Sequence, residues 1–409
     1  MNKMQKKEIC VREECVGCGV CAVVCPQKCI EMIENDEGFI YPAIKESECI
    51  DCNLCKKKCP QNKKHKKYDA DFYMAWNKDV EVLKKSSSGG VFSALAEYIL
   101  QRQGAVIGVE LDSESGDLFH NVIFNVDEID NLRLSKYYQS KTQQVFERVK
   151  KLIKEEKLVL FTGTACQVAA LYSYLGEIGK SKYLYTMDVL CHGVASKKTV
   201  MTYIKEREKQ YRKKIVKFCF RVKEGEDGWQ SGNGTRMKLF FEDGTSEIQD
   251  KLLDTFFVGF NSNIFLRKSC YNCHYCGQER VSDYTVADFW GIQKNKVNEE
   301  QLREGVSVLL VNTEKARQTI SFLKNDLYIE KINPDEAVPY NRAFSKPNLC
   351  PNGRNYFFKV MDEKGFDYAV RQNNKKYYRN KKIKSILSVI LPTKVMSFIV
   401  ERKDMLKGK

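Results

Sequence analysis

The chain has 409 residues, 43% hydrophobic and 30% charged, which is too long for one compact core and rich enough in apolar residues for a large one. Its net charge of +15 gathers in K63-K64-H65-K66-K67 and in the segment from Lys375 onward. No stretch reaches the roughly 18 consecutive apolar residues that span a bilayer, and no nucleic-acid-binding signature accompanies the charge, so neither an integral membrane protein nor a nucleic-acid partner is expected.

The first residues, MNKMQKKEIC, lack an apolar signal region. With 17 cysteines and no export signal, the chain reads as a cytoplasmic protein that uses thiols as metal ligands, not as a disulfide scaffold. The segment Cys15 to Pro60 contains C15-V-G-C18-G-V-C21-A-V-V-C25-P26 and then C49-I-D-C52-N-L-C55-K-K-K-C59-P60. This is the C-x2-C-x2-C-x3-C-P run of two-cluster ferredoxins, written twice. Three closely spaced thiolates wrap one face of a 4Fe–4S cube, and the fourth crosses to the other cube. On that rule Cys15, Cys18, Cys21 and Cys59 hold one cluster, and Cys49, Cys52, Cys55 and Cys25 hold the second. Between the runs, two short alternating stretches around N35-D36-E37-G38 predict a β-hairpin. Residues 1–62 are thus expected to form a ferredoxin-like module whose ligation supplies much of its core. A basic linker follows over 63–70, in which His65 reads as solvated.

A second domain begins at Asp71, with a buried strand over 71–76. K85-S86-S87-S88-G89-G90 then opens a helix. Such a turn lets backbone N–H groups approach a phosphate, although capping without a ligand is the plainer explanation. Strands are predicted at 105–110, 120–126 and 158–161, with a helix over 142–156. T162-G163-T164-A165-C166-Q167 reads as a second glycine turn before a helix, and Y183 through G193 as a strand ending in small and polar residues. Alternating strands and helices argue for a mixed α/β fold with a partly parallel sheet. Ligands of such sheets collect at the carboxyl ends of strands, where Cys166 and Cys191 would lie.

Residues 215–250 turn to β character, and Cys219 reads as a plain strand thiol. Next comes C270-Y271-N272-C273-H274-Y275-C276. Cys270 and Cys273 with Cys166 and Cys191 make a four-thiolate set for a third 4Fe–4S cluster, with Cys276 as a substitute. The competing reading is zinc on Cys270, Cys273, Cys276 and His274. A strand over 306–311 and a helix over TEKARQTISFLK follow, and Cys350 has no assigned chemistry. The end, 371–409, is a basic amphipathic tail that could rest peripherally on an anionic membrane or pack on its own domain.

Five separated motifs occur in one order: K85-S86-S87-S88-G89-G90, G163-T164-A165-C166-Q167, D188-V189-L190-C191-H192-G193, C270-Y271-N272-C273 and A287-D288-F289-W290-G291. Over residues 71–370 they resemble the coenzyme F420 hydrogenase/dehydrogenase beta-subunit family, in its form with an N-terminal ferredoxin domain. Ala165 departs from the pattern, where proline is expected. The resemblance implies a flavin/iron–sulfur domain with FAD beside a 4Fe–4S cluster, and hydride exchange with a reduced carrier such as coenzyme F420. It places Ser87, Ser88, Gly89, Gly90, Gly163 and Thr164 near the flavin, and puts Asp188, Arg280, Asp283 and Asp288 in family motifs without assigning them a role.

The expected function is an iron–sulfur flavoprotein oxidoreductase that moves electrons between a ferredoxin-like redox partner protein and a small-molecule substrate. The alternative is a non-catalytic electron-transfer subunit serving an enzyme of surface polysaccharide synthesis, since similar proteins occur among such genes. No catalytic acid stands out; His192 is the histidine nearest the expected site.

Overall fold

The computed structural model describes residues 7–224, 228–231, 236–250 and 252–381. Among them the strands form three sheets. The first is the expected hairpin, β1 (Ile30–Glu34) against β2 (Ile40–Ile44), antiparallel from Ile30↔Ile44 to Glu34↔Ile40. Its turn needs Gly38, which has φ +80° and would drive a Cβ to 2.3 Å from the Lys198 side chain.

The central sheet has eight strands: β3 (Asp71–Asn77), β4 (Ala105–Leu111), β5 (Leu118–Ile123), β6 (Val159–Thr164), β7 (Leu184–Val189), β11 (Tyr284–Asp288), β12 (Ser307–Val311) and β13 (Leu327–Lys331). Between β7 and β11 in the chain, β8 (Ile215–Val222), β9 (Arg236–Phe241) and β10 (Ser246–Ile248) make a separate antiparallel sheet. The central order is β13-β3-β12-β11-β7-β6-β4-β5. Its inner strands β11, β7, β6 and β4 are parallel, and the flanking pairs are antiparallel. The parallel strands are near-continuous apolar runs because helices cover them: Val91–Leu100, Phe146–Lys154 and Ala165–Leu175 bury Leu95, Val149, Phe146, Val168 and Leu171 against the sheet.

Two local expectations change. The strand predicted at 120–126 runs instead over 118–123, because Asn125 and Glu128 form a capping box that starts a helical turn at Val126. Gly163 and Thr164 are not in a turn. They continue β6, pairing with Asp188 and Val189 of β7, and the helix begins at once with Ala165. Ala165 is therefore the first helical residue, where proline would also be accommodated, so the departure from the family pattern leaves the backbone unchanged.

His120 of β5 is buried against this sheet, stacked on Phe161, with Nε2 donating to Thr162 O at 3.1 Å. Burial pushes its pKa from 6.5 down to about 4. The unfolded chain thus binds one more proton than the folded one between these values, and the protein loses stability as pH falls below 6.5, levelling off near 4. At pH 5 the loss is about 2 kcal/mol. Denaturation midpoints at pH 7 and pH 5 should show that His120→Gln loses less on acidification than the parent; equal losses would assign the acid sensitivity elsewhere.

The N-terminal module docks closely on the α/β domain. Arg267 donates to Cys15 O at 2.7 Å, to Ile40 O at 2.8 Å and to Gln139 Oε1 at 2.8 Å. Thr142 Oγ1 donates to Cys18 O, Ser173 Oγ to Lys58 O, and Arg354 forms a bidentate pair with Glu37 at 2.6 and 2.7 Å. The linker closes with a two-way backbone bridge between Tyr68 and Arg280. His65, read as solvated, instead rests its ring 5.9 Å from that of Tyr275, because its Nε2 is tied to Pro60 O. At the other end the helix Phe366–Asn373 runs across residue 371, and Tyr377 donates to Leu252 O at 2.7 Å. The remainder of the expected basic tail, 382–409, lies outside the described residues. Among the described residues no helix is long and apolar enough to cross a membrane.

Candidate functional site

Two cavities open in the module. One, of about 70 Å³, is lined by Cys25, Cys49, Cys52 and Cys55, and by Cys29. The other, of about 20 Å³, is lined by Cys15, Cys18, Cys21 and Cys59, and by Cys10. Each triple is split between a loop and a short helix, Val20–Val23 for Cys21 and Leu54–Lys58 for Cys55, while the fourth cysteine comes from the other run. The Cys25 sulfur faces the backbone N–H groups of Cys29, Gln27 and Lys28, and Cys15 that of Gly17. Such N–H···S bonds stabilise the thiolate form that ligation to iron requires. A hydrogen bond from Cys10 is the main cause that holds the Cys15 thiol down at about 6, against burial and with help from the Arg267 charge. Cys10 and Cys29 were absent from the ligand pattern; a count of ten cysteines in the first sixty residues, against eight in the motif, was the available signal.

A third group forms at the carboxyl end of the parallel strands. Cys166 follows β6, Cys191 follows β7, and Cys270, Cys273 and Cys276 come from one loop. Cys191 interacts with Cys270, Cys166 and Cys273, and Cys276 with both Cys273 and Cys191. Burial pushes Cys166 up to about 11 and Cys270 up to about 12, whereas a hydrogen bond from Cys276 brings Cys273 down to about 7. His274 is turned to the module, with Nε2 3.7 Å from Glu14 Oε1. Among the described residues no three His, Cys, Asp or Glu side chains close around one point as a single ion requires.

Tyr275 separates this group from the module. Its buried ring lies among Cys166, Cys18 and Cys273, and its hydroxyl accepts from Gln61 at 2.9 Å. Arg267 also lies between the two groups, and its charge acts on Cys15, Cys166 and Cys270. Arg280 holds the loop from below. It pairs with Asp188 Oδ1 at 2.9 Å and donates to Tyr275 O and Gly277 O, with Arg280 2% and Asp188 0% exposed. Asp283 instead ties Thr186 of β7 to Thr313, which caps the helix Glu314–Leu323, and Asp288 forms a bidentate pair with Arg221. His192 is directed to Phe260 O.

The glycine-bearing segments have structural partners of their own. Ser87 Oγ accepts from Ser135 N at 2.8 Å, and Ser88 Oγ donates to Val306 O at 3.1 Å. Gly89 sits where a Cβ would meet Ala75 O at 2.3 Å, and Gly90 starts the helix at Val91. Thr164 N–H donates to Gln167 Oε1, and its hydroxyl touches Cys166 Sγ at 3.1 Å. Gly89, whose N–H donates to Ser307 Oγ at the start of β12, and Gly163 on β6 lie at the same end of the sheet. Within that end, Asp188 Oδ2 is a buried acceptor without a partner among the described residues.

Family models match the module and the sheet domain through residue 337. Residues 14–63 match a 4Fe–4S dicluster domain, 72–147 the N-terminal part of the coenzyme F420 hydrogenase/dehydrogenase beta subunit, and 156–337 its C-terminal part. No curated protein matches. A chain of the F420-reducing NiFe hydrogenase complex from Methanosarcina barkeri is similar at 16% identity and a TM-score of 0.45, covering 76% of this chain and 94% of that one, too distant to argue from. With 4Fe–4S cysteines in front and both parts of the beta subunit behind, the chain belongs to the coenzyme F420 hydrogenase/dehydrogenase beta-subunit family.

Proposed function

We propose that the protein relays electrons through three iron–sulfur clusters in line, from a redox partner protein at the module to an FAD at the carboxyl end of the sheet, and there exchanges a hydride with a small organic carrier. The observation that supports this reading is the order of the thiols: the Cys25 group, the Cys15 group, Tyr275, then the Cys166 group. Cys15, Cys18, Cys21 and Cys59 would hold one cluster, Cys25, Cys49, Cys52 and Cys55 the second, and Cys166, Cys191, Cys270 and Cys273 the third. Bound clusters supply one-electron steps and a bound flavin couples them to a two-electron hydride. The chain's own part is to orient and to insulate. Arg267 supplies a fixed positive charge between two groups, Tyr275 and its neighbours keep water out, and Cys52 leaves the outer cavity open to a partner. The unpartnered Asp188 Oδ2 supports a cofactor donor at the sheet end.

A second reading, an electron-transfer subunit without flavin chemistry, is favoured by the Ser87 and Ser88 hydroxyls, both already engaged with protein. Iron, sulfide, zinc and flavin per chain, measured on anaerobically reconstituted protein, separate the two. About twelve irons and one FAD support the relay to a hydride carrier. About twelve irons without flavin leave the subunit reading, and about eight with zinc remove the third cluster.

A further inference from the structure

Each cavity of the module has one thiol more than a cube takes. Cys29 Sγ lies 3.5 Å from Cys25 Sγ, is only 2% exposed, and also interacts with Cys49. Cys10 stands in the same relation to the other cavity, where it interacts with Cys15 and Cys59. In both, the extra thiol sits between the cysteine that crosses over from the other run and the first cysteine of the triple. A buried cysteine often serves only as a small apolar side chain. That role explains one such residue but not the same placement twice, from unrelated positions in the sequence.

We propose that Cys29 and Cys10 are reserve ligands, each able to replace the crossover cysteine, Cys25 or Cys59, on its cluster. The inference rests on the reading that both cavities hold clusters. Cys25 is the resting ligand because three backbone N–H groups face its sulfur. In the exchange, the iron–sulfur bond to Cys25 breaks and the bond to Cys29 forms. The proton that Cys29 gives up passes to Cys25 across the 3.5 Å between the sulfurs. No electron moves and the cluster keeps its charge, so a cube that has lost its crossover bond is recaptured before it sheds iron.

The test is iron and sulfide per chain, with electron paramagnetic resonance of the reduced protein, on anaerobically reconstituted full-length variants. Cys25→Ala and Cys29→Ala should each retain the parent iron content, with the spectrum of Cys25→Ala shifted by its new ligand. Cys25→Ala/Cys29→Ala should lose about four irons. Loss of about four irons from Cys25→Ala alone would overturn the inference, as would an undiminished count in the double variant. Cys59→Ala with and without Cys10→Ala asks the same of the other cavity, and decides the matter if Cys25→Ala does not fold. A parent protein without iron in the module would instead remove the underlying cluster reading, and the reserve ligands with it.

Discussion

Arg267→Ala is expected to destabilise the protein by about 4 kcal/mol and to free the N-terminal module from the α/β domain. Arg267 is among the largest fully buried side chains, and among the described residues no carboxylate pairs with it. Its guanidinium lies over Tyr41, 4.3 Å from the ring centroid, and donates to two carbonyls of the module and to Gln139. Truncation strands these acceptors in a dry interface, at about 1–3 kcal/mol each. It also removes the positive charge that acts on Cys15, Cys166 and Cys270. The potentials of the clusters proposed on both sides should fall, because a nearby cation stabilises the more negative, reduced state. Arg267→Lys keeps the charge but not the fork, so it should preserve the potentials better than the stability. Denaturation midpoints, protease cleavage in the 63–70 linker and redox titration read these effects separately. An alanine variant that resists cleavage as the parent does would show that the module is held without this residue.

Arg280→Leu is expected to cost about 3–5 kcal/mol, because it leaves the Asp188 carboxylate buried without its partner. One oxygen of that carboxylate already lacks a partner among the described residues. Arg280 also anchors the loop of Cys273 and Cys276 through Tyr275 O at 2.9 Å and Gly277 O at 3.3 Å. The variant should therefore lose about four irons while the module keeps its own. Arg280→Leu with Asp188→Leu removes both charges and should recover much of the stability without recovering the iron, since the loop stays unanchored. A full iron content in Arg280→Leu would show that the loop needs no such anchor.

The strand-and-helix alternation of the domain was legible because its parallel strands are short apolar runs separated by helical periods, as at 105–111, 159–164 and 184–189. The hairpin between the cysteine runs was legible from its turn residues. What the sequence hid depends on contacts between distant segments. Arg267 is ordinary in sequence, yet it meets residues 15 and 40, more than two hundred positions away. Cys10 and Cys29 have no motif spacing and become informative only when the fold sets them beside the motif cysteines. The glycine of G163-T164 misled because the sequence pattern of a turn and that of a strand end entering a helix are the same. The Ser-Gly turn was legible as a helix start at Val91, while its hydroxyl partners, Ser135 N and Val306 O, come from remote segments.

The module's docking also imposes a sequence in time. Its last motif cysteine is residue 59, whereas the arginine that closes it against the domain is residue 267. At a synthesis rate of about 5–20 residues per second, the ribosome needs roughly 10–40 s to travel between them. Glu37 waits longer still for Arg354. Throughout that interval the face later covered by Arg267 is without its cover and open to whatever delivers iron and sulfide. The long reach of these contacts thus leaves a loading interval before the assembly closes.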